Sequence, residues 1–189
     1  MSSLNVAFVG LGYIGLPTAV VMANSGVNVV GVDVNTVNVE KINRGEVTIV
    51  EPGLQEELTA ALESGRFRAT TEQVHSDVYI IAVPTPFTDN YDVDMKYIYS
   101  AAEAIAPQLV GNELIVLEST SPPQTTAKMA QRILECRPDL VADGAENPDN
   151  KPVIYFAHCP ERILPGYAME ELRTNDRIIG GQTAEATRR

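Results

Sequence analysis

The stretch Asn5-Val6-Ala7-Phe8-Val9-Gly10-Leu11-Gly12-Tyr13-Ile14-Gly15 decides the fold. A short, nearly continuous apolar run passes directly into three glycines spaced GxGxxG, and Ile14–Ser25 beyond them carries a helical period. A strand therefore hands over to a helix through a turn in which each glycine has a separate role. Gly10 permits the tight bend, Gly12 lets the backbone approach a diphosphate, and Gly15 lets the helix pack closely on the strand, with the helix N-terminus facing the anion. The glycine spacing alone is a weak signal; its place between strand and helix gives it weight.

The next strand, Asn28–Asp33, ends in an acid close to the spacing of about 20 residues expected after such a turn. A carboxylate there accepts hydrogen bonds from the adenosine ribose hydroxyls and repels a 2′-phosphate, which favours NAD over NADP. The alternatives are a glycine-rich turn with an incidental acid, or a methyltransferase, which combines a similar turn and acid to hold S-adenosylmethionine.

Outward from this unit, further strands are expected at Phe67–Thr71, Val78–Val83, Leu114–Ser119, Val153–His158 and Arg177–Gly180. Helices are expected at Val37–Asn43, Leu54–Ser64, Met95–Leu109 and Thr125–Glu135, with Asp94 placed to cap the fourth and Pro122-Pro123 preceding the fifth. The stripe Ile98, Ala101, Ala102, Ile105, Leu109 reads as that fourth helix's core face. Strands that are apolar at successive positions, alternating with helices, predict an α/β Rossmann-like fold: a doubly wound, mainly parallel sheet covered on both faces. Arg137–Lys151, polar and holding Pro138 and Pro148, reads as a loop. Glu185–Arg189 reads as the first turn of a helix, so residues 1–189 are expected to be one cofactor-binding domain of a longer protein.

Composition narrows the partners. With 25 acidic against 14 basic side chains the net charge is -11, so nucleic acid is an unexpected partner, and an anionic ligand must be held by local devices. No apolar run reaches the roughly 20 residues that cross a bilayer, and Met1-Ser2-Ser3-Leu4 does not open a signal sequence. No membrane association and a cytoplasmic location are the expectation. Cys136 and Cys159 have no metal-site spacing, so no metal is expected.

Thr85, in the Val83-Pro84-Thr85-Pro86 loop that ends the fourth strand, can offer a hydroxyl to the cofactor or simply satisfy its own backbone. Thr120 at a strand end is open to the same two readings. His75 reads as a surface residue, His158 as a satisfied neighbour of the cleft, and Cys159 as a small buried hydrophobe.

Six phrases stand together: GLGYIGLPTA at 10–19, INRGE at 42–46, VEPGL at 50–54, AVPTPF at 82–87, LESTSPP at 117–123 and AHCPERILPG at 157–166. In combination they resemble the UDP-glucose/GDP-mannose dehydrogenase family, the nucleotide-sugar 6-dehydrogenases, over essentially the whole chain. The likeness is closest to the branch acting on UDP-N-acetyl-D-mannosamine. The resemblance implies oxidation of a C6 alcohol to the uronate in two NAD-dependent steps through a cysteine thioester, for polysaccharide precursor synthesis. Sibling substrates are UDP-N-acetylglucosamine and UDP-glucose; a module that binds NAD without reacting is the reading from another class. The resemblance also implies NAD contacts at Gly10, Gly12, Tyr13, Ile14, Gly15, Asp33, Thr85, Thr120 and Thr126. It places Glu161, Arg162, Ile163 and Leu164 beside the sugar nucleotide, and has Thr120 and Glu161 place or activate a water. The family's nucleophilic cysteine, in a GGxC motif, and its lysine and asparagine have no counterpart in these 189 residues. A homodimer of the full-length protein is implied, and this stretch by itself should be inactive.

Overall fold

The computed structural model describes residues 4–89 and 92–189; Met1–Ser3, considered above for a signal sequence, lie outside them. Inside the sheet, with a strand on either side, lies β1 (Asn5–Val9), and its alternation explains the unbroken apolar run. Val6 and Phe8 enter one core layer with α1 (Gly15–Asn24), while Ala7 and Val9 enter the layer on the other face. A strand covered on both sides has no solvent face, so no polar alternation survives in its sequence.

The strand β2 (Asn28–Val32) pairs parallel with β1, Val32 opposite Val9. Next come α2 (Thr36–Asn43) and α3 (Leu54–Glu63), which bury Val39, Ile42, Leu54 and Leu58 against the α1 side. Beyond β2 lies β3 (Phe67–Thr70), after which the chain crosses back so that β4 (Val78–Ile81) pairs with the free side of β1. On the second face α4 (Lys96–Ile105) buries Ile98, Ala101, Ala102 and Ile105 of the stripe expected from sequence, while Leu109, its fifth member, is buried beyond the helix end. Then β5 (Leu114–Glu118) joins β4, and α5 (Thr125–Cys136) packs Met129, Ala130 and Ile133 into the same layer. With β6 (Val141–Ala142) and β7 (Val153–Cys159) completing it, the sheet order β3-β2-β1-β4-β5-β7-β6 makes this the Rossmann-like doubly wound fold expected from the sequence, with the direction of winding reversing between β1 and β4.

Several elements differ in detail. The fourth helix leaves α geometry at Ile105, and residues 106–108, which include Pro107, form a single 3₁₀ turn. Within the expected loop, β6 (Val141–Ala142) pairs with the start of β7 (Val153–Cys159). A seven-residue helix, α6 (Ala168–Thr174), was not legible as such. The expected strand Arg177–Gly180 shrinks to β8 (Gly180–Gly181), antiparallel to β7, and Arg177, outside it, turns its side chain toward Glu118 at the end of β5. The helical turn expected near residue 189 is α7 (Ala184–Arg188), capped by Thr183 Oγ1, which accepts from the Ala186 amide. Among the described residues no helix is long and apolar enough to cross a membrane.

Candidate functional site

The reversal between β1 and β4 opens a cleft of about 660 Å³ at the carboxyl ends of the strands, within the roughly 300–1,000 Å³ of small-ligand sites. One wall is the glycine turn. Gly10 is held by its amide, which donates to Val32 O at 2.8 Å, and has φ of +98°. A Cβ there would stand 2.6 Å from Ala82 O, so the bend fits only a glycine beside β4. At Gly15 a Cβ would fall 1.8 Å from Gly10 O, which is the close helix-to-strand packing expected of the third glycine. Gly12 is the opposite case: it lines the cleft, and a Cβ would meet no protein atom within 4 Å. The amides of Gly12, Tyr13 and Ile14 have no hydrogen-bond acceptor among the described residues. Free donors, open space and a helix start together make a cradle that fits a diphosphate.

Asp33 follows the last residue of β2, so strand register carries it to the glycine turn. Its Oδ2 accepts from the Leu11 amide at 2.8 Å and its Oδ1 from the Asn35 amide at 2.9 Å. The carboxylate is half-buried at the cleft, and each oxygen keeps a lone pair for a ribose hydroxyl. The residues present therefore fit NAD. Thr85 lines the facing wall beside Val83 and Pro84.

Tyr13 does more than line the cleft. Its hydroxyl donates to Glu51, and both groups accept from the Gly166 amide, at 2.8 Å and 2.9 Å. Glu51 also accepts from the Ala168 amide at 2.7 Å, satisfying an orphan donor at the start of α6. Burial works against the Glu51 charge, but the Tyr13 hydroxyl and the amides of Gly166, Ala168 and Met169 outweigh it and hold the carboxyl below its ordinary value. Burial and this carboxylate push the Tyr13 phenol up. The glycine turn is thus tied, through Glu51, to the loop that follows Pro160.

Ser119, Thr120, Glu161 and Ile163 line the far end of the cleft. Thr120 is exposed there. Glu161 is bound tightly: its Oε1 accepts from the Arg162 amide at 2.7 Å and the Ile163 amide at 3.0 Å, and Arg177 Nη2 lies 2.7 Å from its Oε2. Arg177 Nη1 also donates to Glu118 Oε1 at 2.5 Å. Neither Glu118 nor Arg177 was a candidate from sequence. Glu118 reads locally as the last residue of a buried strand, and no local signal pairs it with an arginine so far along the chain.

Four of the sequence candidates do not line this cleft: Gly15, packed against Gly10, and Thr126, Arg162 and Leu164. Thr126, buried in the first turn of α5, places its hydroxyl 3.2 Å from His158 Nδ1. Burial lowers the His158 pKa, so the ring favours its neutral form. Arg162 donates from its guanidinium to Asp176 O at 2.8 Å, and Leu164 is exposed. Cys159 is buried, and burial followed by the Glu118 charge pushes its thiol up. His75 is exposed. Among the described residues no cluster of three or more His, Cys, Asp or Glu could hold a metal ion.

A family model, the NAD binding domain of the UDP-glucose/GDP-mannose dehydrogenase family, matches residues 4–189. A UDP-N-acetyl-D-mannosamine dehydrogenase from Escherichia coli (strain K12) is 49% identical over 97% of this chain and 43% of its own length. An NDP-N-acetyl-D-galactosaminuronic acid dehydrogenase from Ralstonia nicotianae is also 49% identical, over 96% of this chain and 43% of its own. The solved structure of a UDP-N-acetyl-mannosamine dehydrogenase from S. aureus matches with a TM-score of 0.86 at 40% identity, covering 97% of this chain and 42% of that one. The chain thus spans less than half the length of these relatives.

Proposed function

This chain belongs to the UDP-glucose/GDP-mannose dehydrogenase family, as its NAD-binding domain, and on that premise we propose that it serves the NAD-dependent oxidation of the C6 alcohol of UDP-N-acetyl-D-mannosamine to the uronate. The observation that carries this reading is the open face of Gly12 beside free amides, with Asp33 positioned next to the same turn. NAD, when bound, supplies the electron acceptor for the alcohol carbon. The amides at 12–14 hold its diphosphate, Asp33 binds the adenosine ribose and disfavours a 2′-phosphate, and Thr85 offers a hydroxyl from the facing wall.

At the far end, Thr120 and Glu161 orient a water, and Glu161 to Leu164 stand on the sugar-nucleotide side. Thr126, turned to His158, acts by holding the start of α5. The thioester requires a thiolate, and neither thiol of this chain is suited to supply it. Cys159 is buried with its pKa pushed up, and Cys136, at the end of α5, does not line the cleft. The nucleophile comes from outside these residues, as do the remaining sugar contacts and the surface for a homodimer in the full-length protein. The support for the mannosamine substrate is the likeness to relatives of that name.

Two measurements test this. Calorimetric titration of the chain with NAD, NADP and S-adenosylmethionine should give binding by NAD; tight binding of S-adenosylmethionine alone overturns the cofactor assignment. NADH formation by the full-length protein against UDP-N-acetylmannosamine, UDP-N-acetylglucosamine, UDP-glucose and GDP-mannose should be fastest with the first. Release of the uronate with two NADH per sugar by the 189-residue chain alone would show that no outside cysteine is needed.

A further inference from the structure

Two carboxyl groups and one guanidinium are packed together where β5 ends. The side chains of Glu118 and Glu161 are only 3% and 8% exposed, and each gives one oxygen to Arg177, at 2.5 Å and 2.7 Å. If both acids were ionised, the cluster would bury one uncompensated negative charge, which low-dielectric surroundings penalise heavily. The hydrogen bonding shows where relief lies. Glu161 Oε1 is satisfied as an anion by two backbone amides. Glu118 Oε2 is buried without a hydrogen-bond donor, Glu161 Oε2 has only its ion pair with Arg177 at 2.7 Å, and the two carboxyl groups are near enough to interact. One proton on either carboxyl supplies the donor that two neighbouring acceptor-only groups lack.

We propose that Glu118 carries this proton and donates it to Glu161 Oε2, which makes Glu118 a positioning residue that fixes Glu161 at the cleft wall. Other charged groups are arranged consistently. From β7, Cys159 places its sulfur 3.7 Å from Arg177 Nη1 and stays a thiol, adding no charge. The next side chain back, His158, is turned to Thr126 on α5. Burial, followed by the proximity of Glu161 and only partly offset by Arg177, raises the Glu118 carboxyl to about 7. The catalytic relevance of the pair rests on the function proposed for Glu161; the shared proton does not.

The test is carboxyl-detected NMR of the chain labelled with ¹³C at the glutamate carboxyls, followed from acid to mildly alkaline pH. One carboxyl should titrate near pH 7. Glu118→Gln should abolish that titration. Glu161→Gln should shift it down by about a unit or more, because Arg177 then serves Glu118 alone. Absence of any glutamate titrating between about pH 6 and 8 in the unsubstituted chain overturns the proposal, as does a titration there that survives Glu118→Gln. Calorimetry with NAD in the same buffers separates the two ideas: failure to bind NAD with the titration present removes the cofactor reading alone. NAD binding without the titration removes only the shared proton.

Discussion

Gly12→Ala and Gly15→Ala make the same chemical change in one turn, and the structure separates their effects. At Gly12 the new methyl meets no protein atom within 4 Å and the backbone is not in the left-handed region. The folded chain accepts it, and loss of glycine's freedom in the unfolded state gives a gain of about 0.4–1 kcal/mol. A diphosphate resting on the amides at 12–14 does meet that methyl, and overpacking of about 1–3 kcal/mol weakens NAD roughly 5- to 150-fold. At Gly15 the methyl lands 1.8 Å from Gly10 O and 2.9 Å from Gly10 C. Both atoms are backbone, so no rotamer change relieves the clash and α1 must move off β1, at a cost of about 3 kcal/mol. Urea unfolding with an unchanged m-value gives the stabilities, and calorimetric titration gives the NAD affinities. Normal folding of Gly12→Ala with NAD affinity within about twofold of the parent would exclude a diphosphate on these amides. Parental stability in Gly15→Ala would exclude the close packing of α1 on the turn.

Asp33→Asn keeps an acceptor for the Leu11 amide but loses the charge, so NAD affinity should fall roughly tenfold, about 1.5 kcal/mol, while NADP binding improves; an unchanged NAD-to-NADP ratio would remove the ribose role. Glu51→Ala leaves the Ala168 amide without its acceptor and the Gly166 amide with only the Tyr13 hydroxyl, and should cost about 1–3 kcal/mol, and Tyr13→Phe about 1 kcal/mol. In both variants the amides of Gly166 and Ala168 should exchange hydrogen faster, and unaltered protection there would show that the link between the glycine turn and α6 does not hold. Glu118 makes stability depend on pH. Its carboxyl rises from 4.5 to about 7 on folding, so the stability it contributes is full below pH 4.5 and is lost as the pH climbs through about 7. Relative to Glu118→Gln, the parent should lose about 3 kcal/mol of unfolding free energy over that window; parallel pH–stability curves for the two proteins would contradict it.

The cofactor half of the cleft was legible because its parts are local. Gly10, Gly12 and Gly15 lie in a single turn, and Asp33 sits at the end of the next strand, where parallel register with β1 leaves it one position. The covered strands and the buried stripe of α4 follow from residue periodicity in the same way. The short helix α6 escaped notice because seven residues with two buried side chains, Ala168 and Met169, make no periodic pattern. It is held in part by Glu51, far upstream, whose phrase VEPGL shows nothing locally of that capping role.

Hydrophobic period and short spacings along the chain were enough to specify the doubly wound sheet, the glycine turn and the acid beside it. Two other features appear only in the assembled fold: Glu51 joins Tyr13 to the loop after Pro160, and Glu118, Glu161 and Arg177 share one buried pocket of charge. Those contacts span dozens of residues, and their energies come from burial and from the count of donors against acceptors. Neither quantity exists until the strands are paired and the carboxyl edge of the sheet is in place.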